Sequence, residues 1–185
     1  IHATSQVPAK KTRFITYCQR IAAILLLPAI IAIVALMMKK DHQEPLIAYN
    51  EVTAPYGMVS SLTLPDSSKV WLNAGSTLKY PAAFTSNVRE VEMSGEAYFE
   101  VHADKEHPFI VNTGDLKVTA TGTAFNICSF AKAQEEVITL VTGKVAVSQE
   151  NNIKHLLPGQ QLNYQRASKS MEITDIDTYK YISWK

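Results

Sequence analysis

The sequence predicts an all-β domain of many short strands, closed as a roll, a sandwich or a short solenoid, preceded by one transmembrane α-helix. Three observations predict it. Residues 21–38 are 18 consecutive positions without a charged or polar side chain. After Asp41, short runs of alternating residues are separated by Gly and Pro turns, and no ten-residue stretch keeps a 3.6-residue period. All seven glycines fall between Gly57 and Gly159.

The apolar run is IAAILLLPAIIAIVALMM, from Ile21 through Leu27, Pro28 and Ile33 to Met38. As a helix it would be about 27 Å long, close to the ~30 Å thickness of a bilayer's hydrocarbon. Ten of its 18 residues are Leu, Ile or Val, which favours insertion by roughly 3 to 6 kcal/mol. Pro28 removes one backbone hydrogen bond, a loss that membrane helices tolerate. A buried soluble helix would keep a polar face, and none is present. A signal peptide would end in a small-residue cleavage site, whereas this run continues into Lys39 and Lys40.

Charge gives the orientation. Residues 1–40 hold six Lys or Arg and no acid, and residues 41–185 hold all 17 acids against 12 Lys or Arg, a net of −5. Four cations precede the run within 20 residues, and the two that follow sit beside Asp41 and Glu44. The excess of cations on one side places the N-terminus in the cytoplasm and residue 41 onward outside it or in a periplasm. The expected divisions are a juxtamembrane tail (1–20), the span (21–38), a linker (39–45), the β domain (46–176) and an aromatic end, 177–185. The chain opens at Ile1 rather than Met, so a further part is expected upstream. The acidic balance of the β domain argues against direct nucleic-acid binding, which needs clustered cations.

The strands follow in order. LIAYNEV (46–52), MVSSLTL (58–64), KVWLN (69–73) and TLKYP (77–81) are separated by PYG, PDSS and AGS turns. REVEM (89–93) and GEAYFEV (95–101) alternate around Gly95. FIVN (109–112), LKVTATG (116–122), AFNICSF (124–130), EVITLVTG (136–143), KVAVS (144–148), QQLNY (160–164) and MEITDI (171–176) complete the set. LPDSSKVWL and LPGQQLNY echo each other, but the spacing is too uneven for a repeat. DTYKYISWK is too aromatic for a solvated tail and is expected to start a junction to a further, C-terminal packed subdomain.

Reactive chemistry is sought and not found. In GEAYFEV, Ala97, Phe99 and Val101 share one face and should pack inward, while Glu96, Tyr98 and Glu100 share the other and should face water. His102, Asp104, Glu106 and His107 fall on a charged loop, HADKEHP, without metal-ligand spacing. No GxSxG, SxxK or P-loop pattern occurs. Glu135 and Glu136 read as a solvated pair, and Trp71 as a packing residue. Cys18 and Cys128 lie on opposite sides of the apolar run and cannot pair if it spans, and Cys128 reads as a small buried strand residue. No catalytic group, metal or cofactor is implied.

The order of segments resembles the FecR-type regulators, membrane-spanning anti-sigma factors of cell-surface signalling, and most closely their Bacteroidetes-type versions. LTLPDSSKVWLNAGSTLKYP carries Leu64, Pro65, Asp66, Trp71, Leu72 and Asn73; REVEMSGEAYFEV carries Gly95, Glu96, Ala97, Phe99 and Val101. HPFIVNTG (Pro108, Phe109), TATGTAFNI (Gly122, Phe125), TLVTGKVAVS (Gly143, Val145) and LPGQQLNY (Pro158, Gly159) follow in family order. The family usually has glycine after Pro-Asp, where this chain has Ser67, so the turn type there is open. The resemblance implies an inner-membrane regulator with a cytoplasmic N-terminus and a periplasmic β domain. The implied partners are an extracytoplasmic-function sigma factor, bound by an upstream cytoplasmic domain, and the periplasmic signalling domain of a TonB-dependent receptor. In relatives stepwise proteolysis ends inside the membrane, which implies a membrane-embedded protease. The rival reading is a membrane-anchored carbohydrate- or wall-binding envelope protein.

Overall fold

The computed structural model describes residues 48–185 and, upstream of them, Arg20, Leu26, 28–31, Ile33 and Val34, which are helical. Most of the expected span and its flanks, Ile21, Leu27 and Met38 included, lies outside the described residues, whereas Pro28 and Ile33 fall within them. Among the described residues no helix is long and apolar enough to cross a membrane.

Leu46–Lys185 forms a compact unit. Its strands are β1 (Tyr49–Thr53), β2 (Ser60–Thr63), β3 (Lys69–Leu72), β4 (Thr77–Pro81), β5 (Arg89–Glu100), β6 (Phe109–Asn112) and β7 (Lys117–Ala120). They continue as β8 (Ala124–Ser129), β9 (Glu135–Thr142), β10 (Val145–Gln149), β11 (Asn152–Leu156), β12 (Gln160–Gln165) and β13 (Ser170–Asp175), followed by a short helix, α1 (Tyr179–Ile182).

The 13 strands belong to one sheet, doubled over on β5 so that it is nearly closed. The first part of β5 lies between β4 and, in a parallel pair, β6; its second part lies between β3 and β8. Two leaves result. Leaf A runs β1-β4-β5-β6-β7-β10-β11 and leaf B runs β2-β3-β5-β8-β9-β12-β13. The sequence reading divided β5 into two strands at Gly95. The ladder runs through that residue, but the leaf changes there. Gly95 has φ +103°, and a Cβ on it would lie 2.4 Å from Ser76 Oγ and 2.7 Å from Ser76 Cα. Only glycine allows that approach, and Ser76 Oγ accepts the Glu96 amide at 2.7 Å.

Odd-numbered residues of β5 point inward along its whole length, so Val91, Met93, Ala97 and Phe99 are all buried. Phe99 stacks on Phe125 with centroids 5.2 Å apart and lies 6.1 Å from Phe109. Each fully buried aromatic or aliphatic side chain contributes about 1.5 to 3 kcal/mol, and the buried set draws on both leaves. One strand was missed in the sequence: β11, NIKHL, is exposed at every position but its last. As the edge of leaf A it pairs only with β10 and carries no alternation to read.

Candidate functional site

The polar chemistry gathers at three places. The first is Arg89, at the start of β5 and 4% exposed. Its Nη1 lies 2.6 Å from Asp66 Oδ2, with both side chains buried. Nε donates to the His107 carbonyl at 2.8 Å, and Nη1 and Nη2 donate to the carbonyls of His102 and Asp104 at 3.1 and 3.4 Å. Asp66 in turn accepts the amide and hydroxyl of Ser68 at 3.0 and 2.6 Å, and Ser68 Oγ accepts the His102 amide. The physical reason lies in the topology. β5 and β6 are parallel, so residues 101–108 must carry the chain back along β5, a path that usually takes a dozen or more residues. Arg89 binds that short return by its carbonyls.

HADKEHP is mostly exposed, as the sequence suggested, but its backbone is a pinned crossover rather than a free loop. Asp104 Oδ1 accepts the Glu106 and His107 amides, and Oδ2 lies 2.8 Å from His107 Nδ1. The hydrogen bonds from His107 hold the Asp104 carboxyl down at about 2. The ring and carboxylates do not converge on a metal position. Among the described residues no three His, Cys, Asp or Glu do so.

The second place is Arg166, after β12. Nη2 lies 3.0 Å from Glu136 Oε1 and Nε lies 2.7 Å from Asp115 Oδ2. Nη1 donates to the carbonyls of Phe130 and Ala133, fixing the turn between β8 and β9. Glu136, expected to be solvated, is fully buried. Burial pushes its carboxyl up, while hydrogen bonds from Thr113, Ser129 and Arg166 oppose the rise. It is thus a buried carboxyl held by Arg166, Thr113 and Ser129 rather than half of a dyad with Glu135. Cys128, expected buried, is only half-buried. Burial, with the charges of Glu96, Glu135 and Glu136, raises its thiol to about 11, which leaves it unreactive.

The third place is the outer face of leaf B. Register sets Trp71, Tyr98, Asn126, Thr139 and Gln161 side by side across β3, β5, β8, β9 and β12. Tyr98 is 3% exposed, Asn126 3%, Thr139 0% and Gln161 5%. An outward antiparallel face is normally wet. Tyr98 was expected to face water; it is covered instead, with Lys185 Nζ 3.5 Å from its ring centroid. Glu96 ties the row together by accepting from Asn73 and Asn126 at 2.7 and 3.0 Å, and Gln161 donates to Thr139 at 2.9 Å.

The residues singled out by sequence divide among the core, the turns and the polar places. Leu64, Leu72, Ala97, Phe99, Val101, Phe109, Phe125 and Val145 are core. Gly122, Gly143 and Gly159 hold positive φ, as Gly95 does. Pro65 and Pro158 are exposed and Pro108 is half-buried. Of the family-motif residues Asp66, Trp71, Asn73 and Glu96 enter the polar places, as do Tyr98, His102, Asp104, His107 and Glu136 from the other candidates, and Arg89, Arg166, Ser68 and Asn126 were missed. Arginine preceding an alternating strand looks like a solvated charge. The signal available was that Arg89 occupies the inward parity of β5.

A strand-built unit whose buried charges fix loops, and whose polar row lies on a sheet face, is organised as a scaffold. The FecR protein family matches residues 50–146, over half of the chain, and the chain belongs to that family. Two crystal structures of a candidate anti-sigma factor from Parabacteroides distasonis ATCC 8503 are similar to it. One has 34% identity and a TM-score of 0.72 over 74% of this chain; the other has 35% identity and a TM-score of 0.71 over 73%. The chain spans 64% of the length of each. No curated protein matches.

Proposed function

We propose that this protein is a sigma regulator of the inner membrane, relaying a periplasmic signal from a TonB-dependent outer-membrane receptor to an extracytoplasmic-function sigma factor. The observation that carries the reading is the FecR match over residues 50–146, with the likeness to a candidate anti-sigma factor. In this reading residues 1–20 are a cytoplasmic tail, 21–38 cross the membrane, 39–45 link, 46–176 are the periplasmic β domain, and 177–185 lead toward a C-terminal subdomain. The sigma factor binds a cytoplasmic part upstream of Ile1. The receptor's signalling domain engages the periplasmic side, and the span couples the two sites.

The test is a detergent-solubilised pull-down of the full-length protein from its host, read by mass spectrometry. Recovery of a sigma factor together with a TonB-dependent receptor is expected. Recovery of neither, with glycan or wall material retained, favours the envelope-binding alternative and overturns the relay. A membrane-embedded protease completes the reading. Pro28 leaves a carbonyl unpaired and eases cutting within the span, so Pro28→Leu should slow intramembrane cleavage, and unchanged cleavage removes that step.

A further inference from the structure

Trp71 and Tyr98 meet edge to face with ring centroids 5.8 Å apart. Glu100, two residues beyond Tyr98 on the same face of β5, completes a three-sided box. Lys185 Nζ fills it, 3.5 Å from the Tyr98 centroid, 5.1 Å from the Trp71 centroid and 3.1 Å from Glu100 Oε1. After α1 the chain reverses, with the Lys185 amide donating to the Ile182 carbonyl at 3.3 Å, and this turn aims the side chain back at the sheet.

We propose that Trp71, Tyr98 and Glu100 form a lysine-docking box, and that residues 177–185 are latched through Lys185 onto the outer face of leaf B. An ammonium gains from the negative faces of both rings and from the carboxylate at once. A carboxylate or apolar side chain could not use the same three groups. The latch lies at the wet end of a row that is otherwise buried and polar, so releasing it uncovers Tyr98. The box is independent of the sigma-regulator reading, because it concerns this chain's own residues.

The test is trypsin cleavage after Lys180, followed on the full chain in detergent, where cutting tracks local opening. Glu100→Gln and Lys185→Met should each speed cleavage about three- to tenfold, and the double variant should be no faster than the faster single. Glu150→Gln breaks the Lys169 surface pair (2.9 Å), which has no ring beneath it, and should leave the rate unchanged. Single-variant rates equal to wild type, or effects that multiply in the double variant, overturn the latch. A second readout isolates the rings. After ¹³C-dimethylation, which keeps the charge, the Lys185 resonance should lie upfield and return in Tyr98→Leu, whose ring is the nearer of the two. A resonance that does not move overturns the aromatic part of the box.

Discussion

Arg89 and Arg166 both gather backbone carbonyls that a turn would otherwise leave to water, but they do so in different surroundings. At the first, cation and anion are both dry, with Arg89 and Asp66 side chains 5% and 9% exposed. At the second, the Arg166 side chain is 21% exposed and Asp115 is 47% exposed, while Glu136 alone is 0% exposed. A pair buried on both sides repays its desolvation only while both members are present. A half-wet pair leaves one member able to return to water. Stability should therefore depend more sharply on Arg89, and the topology agrees: Arg89 holds the return path of the sheet's parallel pair, whereas Arg166 holds surface turns.

The largest effect tests that difference directly. Arg89→Met strands the buried Asp66 carboxylate and frees the carbonyls of His102, Asp104 and His107, and should cost about 3 to 5 kcal/mol in urea unfolding. Asp66→Asn leaves the cation buried and should cost about 3 kcal/mol. Arg166→Met should cost less, about 2 to 3 kcal/mol, most of it through Glu136 left without its cation. Glu136→Gln should cost only about 1 kcal/mol, because the neutral amide removes the burial penalty along with the ion pair. If the two arginine substitutions cost the same, the contrast in burial has no energetic meaning.

Titration sharpens the comparison, since the two carboxyls are shifted in opposite directions. Asp104, in the Arg89 crossover, is held at about 2, below its ordinary 3.8. Its contribution is present above pH ~4 and is lost as pH falls toward 2. The difference in urea midpoint between wild type and Asp104→Asn should close across that window. Glu136 is raised above 4.5 by burial. Its protonated form is favoured in the folded state, so its contribution is fullest below 4.5 and declines as pH rises through the folded value. Wild type should lose ground relative to Glu136→Gln as pH rises above 4.5. Midpoints that shift in the same direction for both variants contradict the assignment.

What the sequence made legible follows from where information is local. Alternation in KVWL, FIVN and VAVSQ reports a buried face directly, and these strands lie within a residue or so of where the pattern placed them. Glycine before GEAYFEV marked a backbone event at Gly95. β11 carried no alternation because it is an edge. Tyr98 sits on the polar parity of its strand, and Lys185, which lies over its ring, is 87 positions away. Arg89 and Glu136 are charges whose partners, Asp66 and Arg166, lie 23 and 30 residues distant. The polar places are long-range facts, and no window of sequence contains them.

The smallest effect concerns two adjacent serines with opposite expected signs. The β2–β3 hairpin turns at Leu64-Pro65-Asp66-Ser67, with the Ser67 amide donating to the Leu64 carbonyl at 3.0 Å and the Leu64 amide to the Ser68 carbonyl at 2.8 Å. Ser67 has φ 71°, the left-handed position that follows such a turn and favours glycine. The echo at Leu157-Pro158-Gly159-Gln160 is a different turn, with its positive φ of 85° one residue earlier, at Gly159. Relief of the left-handed strain is worth about 1 to 2 kcal/mol, and glycine's greater freedom in the unfolded chain returns about 0.5 to 1 of it. Ser67→Gly should therefore raise stability by about 0.5 to 1 kcal/mol. Ser68→Gly should lower it by about 1 to 2 kcal/mol, because Ser68 Oγ joins Asp66 to the His102 amide. The two urea midpoints, measured together, separate backbone strain in the hairpin from the polar network behind it. If both variants lower stability, Ser67 is held by its side chain, and the turn belongs to the Arg89 assembly rather than to β2 and β3 alone.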